Sequence, residues 1–287
     1  MTSTRSIPAF LALAIVLAGT SCKSSSAPAI VASPTNDYRT GEVVWRELVT
    51  PDPKAAASFY SALLGWSITP VEGSERGYML IKQNGQPIGG IMQMPATLRN
   101  AGGEWVCSLS VSDVDGVARS VKDHGGSVLV EPVDIAGRGR SAAVRDNLGA
   151  PFALLHAASG DPARVQATDN GWLWSELWSN NVASSLDFYA SALGAKVERK
   201  RDGDREYTLL KAGDKDVAGV VKNPVDNVRS HWVNYVRVAD PAAMVEKAAS
   251  LGARVVLKPT AAVRKGTLGV VLDPTGAPIA LQQWPLR

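Results

Sequence analysis

The chain contains two copies of one sequence pattern, and this duplication limits its possible folds more than any other feature. Residues 43–157 align with residues 172–285, at an offset of 129 up to Pro95 and of 127 from Trp105 onward. The first copy contains Trp45, Glu47, Phe59, Tyr60, Leu64, Gly65, Tyr78, Gly90 and Pro95, which recur as Trp174, Glu176, Phe188, Tyr189, Leu193, Gly194, Tyr207, Gly219 and Pro224. A repeat of this kind indicates two similar folded units. A reactive group that both units need should therefore occur twice.

Each unit divides into two smaller modules. Four residues of the N-cap type precede apolar periodic segments roughly 60 residues apart, and they are Asp52, Asp113, Asn181 and Asp240. The first two predicted helices end at Gly65 and at Gly125, where glycine favours termination. Short β-rich runs separated by turn residues fill the remaining sequence. The pattern predicts an α+β fold of four βαβββ modules, two in each unit, with curved mixed sheets.

The N-terminal region has a different composition and predicts export. Arg5 precedes an apolar run over residues 7–18, which is short for a transmembrane helix and is typical of a signal peptide. Cys22 follows small residues and resembles the processing site of a bacterial lipoprotein, with ordinary cleavage nearby as the alternative. Residues 23–40 are rich in Ser, Ala and Pro and predict a flexible tether. We expect the protein to face the periplasm or the cell exterior, attached to the membrane only by the lipid on Cys22.

The composition is ordinary for soluble globular units and argues against nucleic acid as a partner. The 287 residues are enough for about two domains, which we place at 41–158 and 171–287 with a linker over 159–170. Net charge is +3 and no basic stripe is present, so nucleic-acid binding is not expected. If Cys22 is lipidated, Cys107 remains unpaired and is interpreted as a small buried hydrophobic residue. The sequence gives no indication of the oligomeric state.

Two pairs of segments resemble a known superfamily. Residues 47–65 and 176–194 are similar to the opening, and residues 146–154 and 273–281 to the final turn and strand, of the vicinal oxygen chelate superfamily. This group includes glyoxalases, bleomycin-resistance proteins and extradiol dioxygenases. The resemblance implies paired βαβββ modules around an open cleft, in which catalytic members hold a divalent metal. Because one fold hosts many functions, the site must be argued from its residues.

The residues at the family's metal-ligand positions cannot bind metal. The resemblance places these positions at Trp45, Val106 and Ala153 in unit one and at Trp174, Val233 and Ala280 in unit two. None of these side chains offers a metal donor. Near the family's fourth-strand ligand position, only Gln93 has a side chain that could coordinate a metal. We therefore expect no metal or other cofactor in either unit.

Strand alternation gives a set of candidate ligand-binding residues. Residues two apart share a face of a strand, so if the family's ligand position faces the cleft, so do the glutamates that follow it. The full set is Trp45, Glu47, Ser108, Trp174, Glu176, Tyr235, Arg237 and Gln282. Apolar and aromatic walls with a few polar groups suit a small-molecule site. Glu47 and Glu176 are the candidate catalytic residues, as a general base or as a contact for a cationic or hydroxylated ligand.

Each glutamate also has a structural interpretation. Glu47 and Glu176 could instead hold neighbouring backbone or pair with an arginine such as Arg140. Two functions therefore remain open at the level of sequence. The first is an exported glyoxalase-like protein that binds a small organic molecule without metal. The second is a glyoxalase-related lyase or isomerase that works through Glu47 or Glu176, or through a divalent metal at an unrecognised site.

Overall fold

The computed structural model describes residues 27–74, 77–202 and 205–285. The predicted signal over residues 1–22, including Cys22, lies outside the described residues. None of the described helices combines the length and the apolar character that a bilayer span requires. The described residues form two units of the same architecture.

Unit one is a single mixed sheet of eight strands with two helices. Its elements are β1 (Val43–Thr50), α1 (Pro53–Leu64), β2 (Ser67–Pro70), β3 (Met79–Gln83), β4 (Gln86–Gln93), β5 (Glu104–Ser110), α2 (Val114–Asp123), β6 (Ser127–Ile135), β7 (Gly139–Arg145) and β8 (Pro151–Ala157). The strand order is β2-β3-β4-β1-β5-β8-β7-β6. The two modules therefore join through the antiparallel pair β1 and β5.

Unit two repeats this arrangement strand for strand. Its elements are β9 (Trp172–Ser179), α3 (Val182–Leu193), β10 (Lys196–Asp202), β11 (Arg205–Ala212), β12 (Lys215–Lys222), β13 (His231–Arg237), α4 (Pro241–Ser250), β14 (Arg254–Leu257), β15 (Leu268–Leu272) and β16 (Pro278–Gln282). The strand order is β10-β11-β12-β9-β13-β16-β15-β14. The predicted α+β fold of four βαβββ modules is confirmed.

The helices begin where the sequence predicts, for the expected physical reason. The side chains of Asp52, Asp113, Asn181 and Asp240 each accept a hydrogen bond from a backbone N–H of the first helical turn. These bonds satisfy donors that a helix cannot satisfy internally. Helices α1 and α3 end at Gly65 and Gly194, both in the left-handed conformation that glycine tolerates best. The short strand β2 is the first of the three strands that follow α1 in the predicted module.

The helices lie at the interface between the two units. One apolar cluster combines α1 and strands of unit one with α4 and strands of unit two, and contains Phe59, Tyr60, Trp105, Val245 and Ile279. A second cluster combines α2 of unit one with α3 of unit two, and contains Val114, Val121, Phe188, Tyr189 and Trp232. Other clusters cover the opposite face of each sheet. The candidate clefts therefore face away from the interface.

Two equivalent chains of hydrogen bonds cross this interface, one from each unit. Trp105 Nε1 donates to Tyr60 Oη (2.9 Å), which donates to Asp273 Oδ2 of the other unit (2.9 Å). Trp232, Tyr189 and Asp146 form the counterpart, with 3.2 Å for both bonds. Each chain satisfies polar groups that would be costly to bury unpaired. The interface thus explains why tyrosine and aspartate recur in both units.

The segment before β1 is packed against unit one. Ile30 is 2% exposed and contacts Trp45, Leu155 and Ala157. Ala27 N donates to Ala136 O at 3.0 Å. The prediction of a flexible tether over residues 23–40 is therefore wrong for residues 27–31, because an isoleucine in this Ser- and Pro-rich segment finds an apolar site on the sheet.

Candidate functional site

In unit one, a buried ion pair lies on the outward face of the sheet. Glu47 on β1 accepts hydrogen bonds at Oε1 from Arg138 Nη1 (2.8 Å), Tyr78 Oη (2.9 Å) and Trp45 Nε1 (3.3 Å). The guanidinium of Arg138 also donates to Tyr78 Oη (2.9 Å) and to the carbonyl oxygen of Pro28 (2.9 Å). It lies over the rings of Trp45 and Tyr78, at 5.1 and 5.6 Å from their centroids. The glutamate charge is therefore paired with arginine.

Unit two groups the same four residue types around its glutamate, but its tryptophan bonds the tyrosine instead of the carboxylate. Glu176 on β9 accepts from Tyr207 Oη at 2.6 Å and from Arg264 Nη2 on Oε1, and from Tyr235 Oη on Oε2. Trp174 Nε1 donates to Tyr207 Oη at 2.9 Å. The side chain of Glu176 is 1% exposed and that of Arg264 is 30% exposed. Arg264 therefore lies between the carboxylate and solvent.

Burial and pairing fix the protonation of the tyrosines and arginines in both clusters. Burial raises the pKa of Tyr78, Tyr207 and Tyr235 above the usual range, so the three phenols are neutral donors. Burial alone would lower the pKa of Arg138, but Tyr78 and Glu47 raise it overall. The pKa of Arg264 is likewise raised overall, because Glu176 and Tyr235 outweigh the effect of burial. Each cluster thus contains a charged guanidinium held over aromatic rings.

The structure brings some predicted residues together and separates others. Gln282 joins the second cluster, where its Oε1 accepts from Arg264 Nη1 at 3.1 Å. Ser108 lies opposite Trp45 on β5 and is 4% exposed, where unit two has Tyr235. Arg237 instead contacts the segment before β9, where its Nη1 donates to Ala167 O at 2.7 Å. Its contacts hold the linker in place.

Four residues of the clusters were not among the predicted site residues, and these are Tyr78, Arg138, Tyr207 and Arg264. The tyrosines recur at the repeat offset, which was a usable signal. The prediction that Arg140 pairs with Glu47 is wrong. The guanidinium of Arg140 donates to Asp115 from Nη2 at 2.7 Å and to Asp134 from Nη1 at 3.1 Å. Arg138 precedes β7, in the turn before Gly139 with its φ of 115°. Strand alternation therefore does not apply to it, and the sequence pattern could not identify it as the partner.

Comparison with known proteins identifies the family. A model of the Glyoxalase/Bleomycin resistance protein/Dioxygenase superfamily matches residues 42–154 and 172–281. The chain belongs to this superfamily. Its two matched segments correspond to the two structural units. The expected family membership and duplication are confirmed.

Two relatives match most of the chain. "Putative glyoxylase CFP32" of Mycobacterium tuberculosis is 32% identical over 246 residues, which are 84% of this chain and 94% of the relative. "Anthracycline biosynthesis protein DnrV" of Streptomyces peucetius is 29% identical over 262 residues, covering 84% of this chain and 92% of that protein. Both relatives therefore match the two-unit organisation.

Solved structures of superfamily members share the fold. The Mn(II)-bound glyoxalase of Novosphingobium aromaticivorans gives a TM-score of 0.59 at 17% identity, covering 87% of this chain and 84% of that one. The 2,3-dioxygenase LapB of Pseudomonas sp. KL28 gives 0.56 at 16% identity, covering 85% and 93%. At these identities the comparison supports the architecture only.

The superfamily's metal does not fit the residues that this chain places at the ligand positions. Val106 and Ala153 pack with Val49 in an apolar cluster, and Val233 and Ala280 lie in its counterpart. Gln93 directs its amide Nε2 to the carbonyl oxygen of Pro51 at 2.9 Å. Within the described ranges, no three His, Cys, Asp or Glu side chains converge. Apolar side chains supply no metal donors, so these positions do not hold the superfamily's metal.

Proposed function

We propose that this protein is an exported member of the superfamily that binds a small organic molecule in the cleft of unit two, without a metal. The site would consist of Arg264, Trp174 and Tyr207, with Glu176 holding the arginine in place from below. Aromatic walls with a few fixed polar groups are the usual composition of small-molecule sites. Both curated relatives named above carry names that refer to small-molecule chemistry, which agrees with such a role.

A difference in accessibility between equivalent arginines carries this proposal. The side chain of Arg138 is 5% exposed and that of Arg264 is 30% exposed. Trp45 is buried, whereas Trp174 is partly exposed. Residues 28–30 cover the cluster of unit one, where Pro28 O accepts from Arg138 and Ile30 packs on Trp45. The cluster of unit two has its guanidinium and indole available to a ligand.

The contacts of residues 28–30 with the cluster of unit one suggest which ligand groups the cluster of unit two would bind. In unit one, a carbonyl oxygen accepts from the guanidinium and a branched aliphatic side chain lies against the indole. Arg264 and Trp174 offer the same two contacts in unit two. A guanidinium forms strong charge-assisted hydrogen bonds to oxygen acceptors, above all to carboxylates. We infer a ligand that combines such an oxygen with an apolar group.

The geometry favours binding over base catalysis by the glutamates. Both carboxylate oxygens of Glu176 accept hydrogen bonds from neighbouring side chains. Glu47 accepts three bonds on one oxygen and is paired with Arg138. A general base must reach the proton that it removes. Neither glutamate is presented to the cleft in that way, since Arg264 lies on the solvent side of Glu176 and Glu47 is buried with Arg138 under residues 28–30.

The test measures binding of N-acetyl-isoleucine amide, which copies the carbonyl and side chain of the covering segment, by calorimetry at a temperature where all variants remain folded. We expect binding to wild-type protein and a loss of about tenfold or more in Arg264→Lys, because lysine cannot reproduce the planar donor geometry. Arg138→Lys is the matched control and should bind as wild type does. Equal affinity in wild type and Arg264→Lys would reject the site.

The metal-free aspect of the proposal has its own measurement. Elemental analysis of purified protein should give substoichiometric Mn, Fe, Ni and Zn. One tightly bound metal ion per chain would contradict it and would support the enzymatic alternative, a lyase or isomerase with an unrecognised metal site.

Export and lipid anchoring at Cys22 form a separate part of the proposal. The apolar run, the small residues before Cys22 and the polar residues after it support this assignment. Labelled fatty acid should be incorporated by wild-type protein in bacterial cells and not by Cys22→Ala. Incorporation that persists in Cys22→Ala would disprove the anchor.

A further inference from the structure

A cavity of about 310 Å³ lies between the two units, away from the outward clefts. Its floor is formed by the buried rings of Tyr189 and Trp232, and exposed residues, including Thr40 and Gly213, stand at its mouth. Val43 and Ala195 line its walls. The volume is at the lower end of the range for small-molecule sites, about 300 to 1,000 Å³.

The internal repeat shows what this space holds elsewhere in the molecule. By the repeat offset, Val43 corresponds to Trp172 and Ala195 corresponds to Trp66. At that equivalent place, the rings of Trp66 and Trp172 pack at 4.9 Å between centroids. Both also pack against Trp105, at 6.4 and 5.1 Å. The cavity is therefore the position where two indole rings are replaced by small aliphatic side chains.

The surroundings of the two places match. Tyr60 and Trp105 line the filled one, and Tyr189 and Trp232 form the floor of the open one. The two tyrosine–tryptophan pairs have nearly the same geometry, edge to face with centroids 5.4 and 5.7 Å apart. Such arrangements favour a further aromatic ring beside them. The cavity therefore has the same tyrosine–tryptophan pair beneath it as the filled place, but it lacks the two indole rings that fill that place.

Backbone acceptors for an aromatic donor recur as well. Trp172 Nε1 donates to Ile88 O at 2.9 Å, and Ile88 is the bulge residue that is skipped in the pairing of β3 with β4. The pairing of β11 with β12 skips Val217, the counterpart of Ile88, in the same way. Trp66 Nε1 donates to Asn170 O at 2.7 Å, and the counterpart of Asn170 is Gly41. Val217 and Gly41 both line the cavity.

We propose that this cavity is a binding site for a planar aromatic molecule with two fused rings and a ring N–H or hydroxyl group. The rings occupy the space beside Val43 and Ala195 where the equivalent place holds two indoles, and the donor bonds a carbonyl oxygen of Val217 or Gly41. An engineered cavity of about 150 Å³ suffices for benzene, so a space of about 310 Å³ accommodates a fused bicyclic ring. The site is distinct from the cleft of unit two and does not depend on it.

The experiment uses indole as the probe and calorimetry as the readout, with the full folded chain. Wild-type protein should bind one equivalent. Ala195→Trp restores the ring present at position 66 and should weaken indole binding by about tenfold or more. Val197→Trp is the matched control, because it adds an indole two residues further along the chain, at an exposed position on β10 outside the cavity. This control should bind as wild type does.

A second arm keeps the test valid if Ala195→Trp perturbs folding. Val43→Trp fills the same cavity from β1 and should also weaken indole binding, whereas Arg264→Lys in the outward cleft should leave it unchanged. Absence of indole binding to the wild type, binding unaffected by both filling substitutions, or binding lost only in Arg264→Lys would each overturn the proposal. The last outcome would place indole in the cleft of unit two.

Discussion

Arg138 and Arg140 lie two residues apart on or beside β7 and have opposite surroundings. Arg138 is 5% exposed and pairs with Glu47, which is 9% exposed. Arg140 is 34% exposed, and its partners Asp115 and Asp134 are more exposed still. Buried ion pairs and exposed ones differ greatly in the cost of losing one partner. The contrast makes the two arginines a matched pair for measurement.

Substitution of the buried arginine should be far more damaging than substitution of the exposed one. We predict that Arg138→Met lowers the free energy of unfolding by about 3 to 5 kcal/mol, because Glu47 is left buried without its partner. Arg140→Met should cause a much smaller loss, since solvent replaces its contacts. Urea unfolding at neutral pH measures both. Similar losses in the two variants would contradict the assignment of Arg138 as the partner of Glu47.

His231 at the start of β13 should make stability depend on pH. Burial lowers the pKa of His231 below its usual value near 6.5. In the unfolded chain the imidazole gains a proton as pH falls through about 6.5, while the folded protein resists protonation. The contribution of His231 is therefore fully present above about pH 6.5 and is lost as the pH falls toward the folded pKa.

We predict that wild-type protein loses more unfolding free energy between pH 7 and pH 5.5 than His231→Gln does. Other titrating groups, including Asp146 and Asp273, are common to both proteins and cancel in the comparison. Urea unfolding at both pH values gives the difference. A pH dependence of equal size in the two proteins would show that His231 titrates normally in the folded state.

At the scale of elements, the repeat and the helix caps made most of the fold predictable. The N-cap residues and Gly65 are local signals, so they identified the helices without knowledge of tertiary contacts. The segment over residues 27–31 was not predictable, because its composition is that of a tether and only Ile30 and Val31 are strongly apolar. Its position depends on a long-range contact with β1 and β8. The partner of Glu47 was missed for the same kind of reason.

Release of this segment should open the cleft of unit one. Ile30→Asp places a carboxylate against Trp45 and Leu155, where its burial is unfavourable. We predict faster hydrogen exchange at the Ala27 amide, which donates to Ala136 O. A second equivalent of N-acetyl-isoleucine amide should then bind, at Arg138.

The control for this prediction is Ser33→Asp, which adds the same charge at an exposed position three residues away. It should retain slow exchange at Ala27 and the stoichiometry of the wild type. An Ile30→Asp protein that exchanges and binds as wild type does would show that Ile30 does not hold the segment in place.

At the scale of the whole molecule, the two units share their cores. The clusters around α1 and α4, and around α2 and α3, each contain buried residues from both units. Two Trp–Tyr–Asp hydrogen-bond chains also cross between the units, as does an ion pair in which Arg229 Nη2 donates to both carboxylate oxygens of Glu104 (2.5 and 2.6 Å). Separation would expose these apolar faces to water and leave buried polar groups unpaired. Neither unit therefore has a complete core of its own.

We predict that the protein unfolds in one cooperative transition and that its halves do not fold alone as monomers. Fragments 27–164 and 165–287, expressed separately, should bind a hydrophobic dye, aggregate or self-associate through the exposed helices, because an apolar face of this kind requires a partner. Expressed together, they should form a one-to-one complex with the circular dichroism spectrum of the intact chain. Two monomeric fragments, each with its own sharp unfolding transition, would instead mean that the outward-facing clusters suffice and that the shared core adds only contact between independent domains.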